Sequence, residues 1–600
     1  MFLCIFVKNR QRMENRYFAR IAALREIMAR ENWDAVVLTA SDPHASEYPA
    51  PRWKQVEWLT GFTGEAGDVV VTADHAGLWT DTRYFIQANR QLPGTGVELH
   101  KTRVPEQVLI PEWLGRRFPS GSHAPRIAVD GLCMTAQMAG DIRSATPDCE
   151  IVAVPNLLDA LWIDRPAVPS TPIEMLDAET VGESREHKLL RLREWLRDEA
   201  GCDAILLTAL DEIAWLLNVR AQDIDYNPYV ISYLLVTKDA VQWFADKGGG
   251  AAELSGVVVL PYGAVTEALG TLSGRMYADP SSLNLSLLES IPQGVLVSGP
   301  SPIPLWKAIK NEVEIAAMRK AHLADGLAME RFLYWLETQI QSGATVNEWE
   351  AACKLQSLRA QIPGYKGDSF ETISAYGEGA ALPHYVTPHG GGATLQPNGL
   401  YLVDSGGQYL TGTTDITRTV ALGPCSALEK EDYTRVLQGH IALSSAVFPK
   451  GTAGCQIDAL AREPLWKALR NFGHGTGHGV GFYLGVHEGP QDIRQNFNPQ
   501  PLLPGMIVSD EPGLYREGMH GVRHENLILC VEAGTSEFGT FLGFEPLTWC
   551  HFDTAPLDLS LLTEEERAWL NAYNARVYEL LAPHLEPEVA AWLHEKTLPV

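Results

Sequence analysis

The feature that most constrains this chain is an internal repeat. Residues 20–39 (Arg-Ile-Ala-Ala-Leu-Arg-Glu-Ile-Met-Ala-Arg-Glu-Asn-Trp-Asp-Ala-Val-Val-Leu-Thr) return at residues 189–208 as Leu-Leu-Arg-Leu-Arg-Glu-Trp-Leu-Arg-Asp-Glu-Ala-Gly-Cys-Asp-Ala-Ile-Leu-Leu-Thr. Each is a helix-period stretch running into a strand of the fully buried kind. Two further blocks follow in the same order: Val56–Phe62 resembles Ile213–Val219, and Val70–Asp81 resembles Leu235–Asp246. Three blocks in the same order at offsets of 157 to 169 residues imply two copies of one α/β domain rather than chance similarity of common helix–strand patterns.

The Pro-rich segment Asp164-Arg-Pro-Ala-Val-Pro-Ser-Thr-Pro172 reads as the linker between the copies, and Gly299-Pro-Ser-Pro-Ile-Pro304 as a second boundary. After it, residues 307–337 have the rhythm of long helices. Three domains are expected: 1–167, 168–305 as a repeat of the first, and 306–600. Within the first, residues 1–12 read as a disordered extension, with Met13 as the natural start. Their apolar stretch is too short for a signal peptide, and its charges follow it instead of preceding it.

At 46% hydrophobic and 20% charged residues the chain has the material for packed cores. Seventy-four acidic against 48 basic residues leave a net charge of −26, which disfavours nucleic acid and anionic lipid as partners. Nine scattered cysteines with no Cys-x-x-Cys pair fit neither a disulfide scaffold nor a cysteine-rich zinc site, and point to a reducing cytoplasm. No apolar run reaches 18 residues, so no membrane span is expected.

The repeat pair shows no dense cluster of His, Asp and Glu in sequence; the chemistry is concentrated between residues 384 and 525. Asp404 ends the strand-like Tyr401-Leu-Val-Asp404, and Asp415 interrupts the strand-like Thr413–Val420 across a hairpin. Alternation puts Asp415, Thr417 and Thr419 on one face. Carboxylates in an apolar β pattern invite a cation, although turn aspartates in solvent give the same local pattern. Gly473-His474-Gly-Thr-Gly-His478-Gly-Val-Gly481 reads as an irregular extended loop whose glycines bring backbone close to a ligand; a dinucleotide fingerprint fails, because Val480 stands where the third glycine belongs. His487 follows in His-Glu-Gly-Pro490. Glu511 sits at a strand end in Asp510-Glu-Pro-Gly513, and Arg523 and Glu525 are placed two apart on one face, as a surface ion pair or as a functional one. Asp404, Asp415, His478, Glu511 and Glu525 form an oxygen-rich, thiolate-free set that suits two divalent ions such as Mn²⁺, Co²⁺ or Zn²⁺. Four carboxylate charges balance two such ions and leave a bridging water able to persist as hydroxide.

At these motifs, together with Pro383-His384-Tyr385, the sequence resembles the pita-bread-fold metallopeptidases. Among them the repeat and the total length point to the three-domain aminopeptidase P family. The resemblance implies two creatinase/prolidase-like α/β domains followed by a pita-bread catalytic domain, an overall α/β (α+β) chain. It implies removal of the first residue from peptides with proline second, through a hydroxide bridging two metal ions. Asp404 would bind one metal, Asp415 and Glu525 would bridge both, and His478 and Glu511 would complete the shells, with Glu511 also the general base. His384 and His487 would sit near the scissile carbonyl, and His474 in the substrate pocket. Arg523 would orient a carboxylate or neutralise substrate charge. The family's habits imply Mn²⁺, a homodimer and a cytoplasmic enzyme.

Because an Xaa-Pro bond offers no N–H, a specialised pocket is needed, with Tyr385, Tyr483 and Trp466 as candidate walls. The glycine-rich Val386-Thr-Pro-His389-Gly-Gly-Gly392 departs from the expected pattern. Three rivals differ from this reading in identifiable ways: a dipeptide-specific prolidase lacks the second amino-terminal domain, a creatinase-like enzyme works without metal, and a non-catalytic binding module typically loses the ligands.

Overall fold

The computed structural model of the chain describes residues 2–121, 123–246 and 254–600, with side chains described from Arg16 onward. Two compact units emerge, one of residues 1–176 and 183–302, the other of 177–182 and 303–600.

In the first unit, helix α1 (Phe2–Glu31) leads into a six-stranded mixed sheet. Its strands are β1 (Ala35–Leu38), β2 (Asp68–Thr72), β3 (Ala76–Thr80), β4 (Glu98–Lys101), β5 (Arg126–Val129) and β6 (Glu150–Ala153), in spatial order β4-β3-β2-β1-β5-β6. The second sheet comprises β7 (Ala204–Leu207), β8 (Tyr233–Thr237), β9 (Val241–Phe244), β10 (Val258–Leu260), β11 (Met276–Ala278) and β12 (Leu296–Ser298), in order β10-β9-β8-β7-β11-β12. Adding six to each strand of the first order reproduces the second. The senses match too: the central pairs β1–β2 and β7–β8 are antiparallel, while β3–β4, β9–β10, β1–β5 and β7–β11 are parallel. The repeat read in the sequence is therefore a repeat of topology.

The central strands read as unbroken apolar runs because both faces are covered. Val36 and Leu38 enter one buried cluster with Val69, Val71 and Leu78, while Ala35 and Val37 enter another with Val70, Ile127 and Val129. Residues 2–12, expected as a disordered extension, instead form the first turns of α1, a continuation of the helical period that the sequence carries from Arg20; their side chains lie outside the described ones.

In the second unit, α2 (Glu312–Gln341) opens with a capping box in which Asn311 and Glu314 satisfy each other's backbone N–H groups. α3 (Glu348–Arg359) follows. Then β13 (Ile373–Tyr376), β14 (Leu400–Ser405) and β15 (Ile416–Ala421) form an antiparallel sheet in the order β13-β14-β15. A six-stranded sheet contains β16 (Gly477–Gly479), β17 (Glu488–Ile493), β18 (Ile507–Asp510) and the long β19 (Asn526–Ser536), and a hairpin joins Gly513–Arg516 to His520–Arg523. Helices Ala427–Ser444 and Glu564–Leu581 share an apolar core with Leu400, Leu514 and Val522 from these strands. No helix among the described residues is long and apolar enough to cross a membrane.

Candidate metal centre

Asp404 lies near the end of β14, opposite Thr417 of β15, and Asp415 immediately precedes β15. Alternation works as expected. Thr417 donates to Glu525 Oε2 at 2.7 Å and Thr419 to the Arg523 carbonyl at 2.9 Å, so the Asp415 face looks into the site. On the opposite face Arg418, fully buried, stacks on Phe552 at 4.1 Å. It donates to the carbonyls of Glu525, Cys550 and His551 and to Asn526 Oδ1.

His478 is on a short strand, β16, rather than on an irregular loop, and the flanking glycines serve the sheet rather than a ligand. A Cβ at Gly477 would fall 2.0 Å from the Ser509 carbonyl oxygen, and one at Gly479 would fall 2.3 Å from that of Glu488. Backbone of the neighbouring strands occupies the space where side chains would be. His478 Nε2 thereby comes 3.4 Å from Asp415 Oδ2 and 3.6 Å from Glu511 Oε1. The His487 ring meets the His478 ring edge to face at 4.3 Å.

Glu511 follows β18 and faces inward. Its neighbour Asp510 turns away and accepts from the Ser444 hydroxyl at 2.6 Å. Arg523 ends the hairpin strand and Glu525 sits in the junction before β19, so the two are not on one continuous strand. Nor are they a surface pair: both are buried, and Arg523 is hydrogen-bonded to Asp404. Arg523 Nη1 also donates to the Tyr515 hydroxyl at 2.7 Å, and that hydroxyl lies 2.8 Å from His474 Nε2. Tyr515 thus joins Arg523 to His474; nothing in its spacing marked it, because the contacts depend on the fold of the hairpin.

Three overlapping triplets bring single ligand atoms within 4.8 Å of one another: Asp404, Asp415 and Glu525; His478, Glu511 and Glu525; Asp415, His478 and His487. Burial, reinforced by Asp404, pushes the Asp415 carboxyl up to about 8; burial with Glu525 beside it does the same to Glu511; Glu525 rises well above the carboxylate range. Burial, with Arg523 nearby, drives His474 far below the usual imidazole value. Asp404 Oδ1 and Asp415 Oδ1 are buried without a hydrogen-bond donor. Four converging carboxylates with one permanent cation, Arg523, are electrostatically incomplete. The donor set fits two divalent ions.

His384 is half-buried and close enough to His474 to lower its basicity. Of the candidate walls, Tyr385 donates to Glu348 Oε2 at 2.8 Å, Tyr483 is core, and Trp466 is a partly exposed residue bonded to Asn471. The glycine-rich stretch is tied down by that same Glu348, whose Oε2 also accepts from the backbone N–H of Ala393. At Gly392, with φ +90°, a Cβ would lie 2.4 Å from it. His389 packs on Trp349 at 4.2 Å and reaches Glu371 Oε1 at 2.8 Å.

Comparison with known proteins agrees with this arrangement. Residues 316–532 match Metallopeptidase family M24 and residues 540–600 its C-terminal region, while residues 20–161 and 164–314 each match a Creatinase/Prolidase N-terminal domain. A "Probable Xaa-Pro aminopeptidase P" of Laccaria bicolor is 39% identical over 97% of this chain and 93% of its own, and aminopeptidase P1 of Arabidopsis thaliana is 37% identical over 97% and 99%. The crystal structure of an X-prolyl aminopeptidase from Caenorhabditis elegans, described as a cytosolic enzyme with a di-nuclear active site, superposes with a TM-score of 0.92 at 35% identity. It covers 97% of this chain and all of that one. With two creatinase-type domains ahead of an M24 catalytic domain, this chain belongs to the aminopeptidase P family of metallopeptidases.

Proposed function

We propose that this chain removes the amino-terminal residue from peptides whose second residue is proline, with two divalent ions held by Asp404, Asp415, His478, Glu511 and Glu525. The observation that carries the reading is the sharing of Glu525 between two ligand triplets, one with Asp404 and Asp415, the other with His478 and Glu511. A shared carboxylate is what two adjacent ions need, and the oxygen-rich set suits Mn²⁺. When bound, the ions would supply Lewis acidity and make a hydroxide nucleophile available at neutral pH.

The chain's own residues do the rest. Glu511, half-buried beside Glu525 in the same ligand triplet, is placed to accept a proton and return it to the departing proline nitrogen. Arg523 fixes Asp404, and through Tyr515 it orients His474 Nε2. His384, His474 and His487 line the approach to the scissile carbonyl; His474, held neutral, is fixed there by the Gly475 carbonyl at Nδ1 and the Tyr515 hydroxyl at Nε2. We further propose a homodimer, a cytoplasmic location, for which the Caenorhabditis elegans enzyme described as cytosolic gives support, and domain limits near residues 167 and 305.

The test is hydrolysis of a peptide beginning Arg-Pro-Pro after chelation and after restoring Mn²⁺, with Asp415→Asn and Glu511→Ala as controls. Activity is expected to vanish with chelator, return with Mn²⁺, and be lost in both variants. Activity that survives chelation and both substitutions overturns the dinuclear reading. Cleavage of dipeptides alone would favour a prolidase.

A further inference from the structure

The first sheet assembles a cluster that its sequence does not announce. His75 precedes β3, and alternation places His75, Gly77 and Trp79 on one face. The parallel register Gly77↔Glu98 and Trp79↔His100 puts Glu98 and His100 of edge strand β4 on that same face. The two imidazoles meet there: His75 Nε2 lies 3.1 Å from His100 Nε2, and Glu98 Oε2 lies 3.7 Å from His75 Nδ1. One ligand atom from each of the three residues falls within 4.8 Å of the others.

We propose that His75, Glu98 and His100 bind a divalent transition ion, with zinc as the fitting case, at a site additional to the catalytic centre. Two nitrogens bound to one zinc at about 2.0–2.1 Å in tetrahedral geometry are about 3.3 Å apart, close to the separation found here. The space is built for the pair. A Cβ at Gly77 would fall 2.6 Å from His75 Nε2 and 2.7 Å from His100 Cδ2, so the missing side chain makes the cradle. Aromatic rings hold the imidazoles in place: His100 stacks on Trp79 at 3.9 Å and 7°, and His75 leans on Trp113 at 5.0 Å. The Trp79 indole is itself fixed by donating to the Val108 carbonyl at 2.9 Å.

A hydrogen bond between the imidazoles, with Glu98 beside His75 Nδ1, is the simpler occupant of this geometry, and a count of bound metal separates it from an ion held at the same three residues. The nearby charges Asp74 and Arg117 pair with each other. Two nitrogens and one carboxylate select zinc, nickel or copper over magnesium or calcium, in contrast to the carboxylate-rich catalytic set. Coordination across β3 and β4 would pin the exposed edge strand of the sheet.

The experiment is a metal count on the full chain, stripped by chelator, dialysed against Zn²⁺ and analysed by mass spectrometry. His75→Ala and His100→Ala are each expected to hold one ion fewer than wild type while Mn²⁺-supported peptide hydrolysis is unchanged. The same one-ion difference is expected in an Asp415→Asn background. Equal zinc content in wild type and the His variants overturns the proposal. Should a His variant fail to fold, Glu98→Gln, at an exposed position, is expected to weaken zinc binding at this site by roughly tenfold or more; unaltered zinc affinity overturns it.

Discussion

Two of the clusters in which this molecule gathers imidazoles and carboxylates solve opposite problems. The cluster on the M24 domain brings four carboxylates and His478 into the interior, where Asp415 and Glu511 are pushed up to about 8 and buried carboxylate oxygens lack donors. The cluster on the first sheet has two imidazoles and one exposed carboxylate, held by tryptophans. Without metal, the first can persist only by taking up protons, whereas the two imidazoles of the second can stay uncharged by sharing a hydrogen bond. Charge compensation, rather than the mere presence of ligands, separates a site that demands its ions from one that accepts them.

The contrast can be broken by substitution. The largest effect is expected for Glu511→Ala, which should lower kcat by about 10²- to 10⁴-fold, the range for a lost general base, in steady-state hydrolysis of an Xaa-Pro peptide. Arg523→Met leaves Asp404 buried beside Asp415 with no guanidinium, and the metal-free chain should lose about 3–5 kcal/mol of unfolding free energy in urea titrations. Metal-free protein should also show a pH signature. Asp415 and Glu511 titrate far higher folded than unfolded, so the native state binds more protons across that window. Their contribution to stability is full below the ordinary carboxylate range and is lost as pH rises through about 8. The Tm of chelated protein should therefore fall as pH rises from 5 to 8 by virtue of these groups, and Asp415→Asn should flatten that slope; an unchanged slope in the variant would remove Asp415 from the account.

Smaller effects belong to the first sheet and to the supporting residues. Gly77→Ala forces a methyl against both imidazoles and should cost about 1–3 kcal/mol, as overpacking does, with peptide hydrolysis intact. Tyr515→Phe, which deletes the hydroxyl between Arg523 and His474, should cost about 1 kcal/mol and lower kcat more than it raises KM.

Much of this was legible in the sequence. The repeat could be read because central strands such as Ala35–Leu38 and Ala204–Leu207 are buried on both faces and so appear as unbroken apolar runs. The five expected ligands could be read because carboxylates within β patterns are costly without partners, and the fold gathers all five. The role of the glycines around His478 was misread: a close backbone neighbour and a close ligand leave the same trace in one chain. Tyr515 and Arg418 were invisible, since their partners come from distant segments. The His75 cluster was missed for a related reason, because register, not spacing, sets Trp79 against His100. The second copy shows that the ladder alone is not the signal. Its pairs Gln242↔Val258 and Phe244↔Leu260 repeat the register, yet Val258 and Leu260 stand where Glu98 and His100 stand in the first.

Arg418 carries a consequence for how each chain matures. Its guanidinium fastens the Glu525 carbonyl to the carbonyls of Cys550 and His551 and to the Tyr573 hydroxyl, which lies deep in the helix Glu564–Leu581. A nascent polypeptide that has reached Glu525 already carries every expected ligand, but it lacks the clamp that fixes the last of them. At synthesis rates of about 5–20 residues per second, the missing 48 residues, from Asn526 to Tyr573, arrive seconds later. Metal capture thus becomes a late event in biogenesis, and a chain truncated near its end would forfeit the centre while retaining all five ligands.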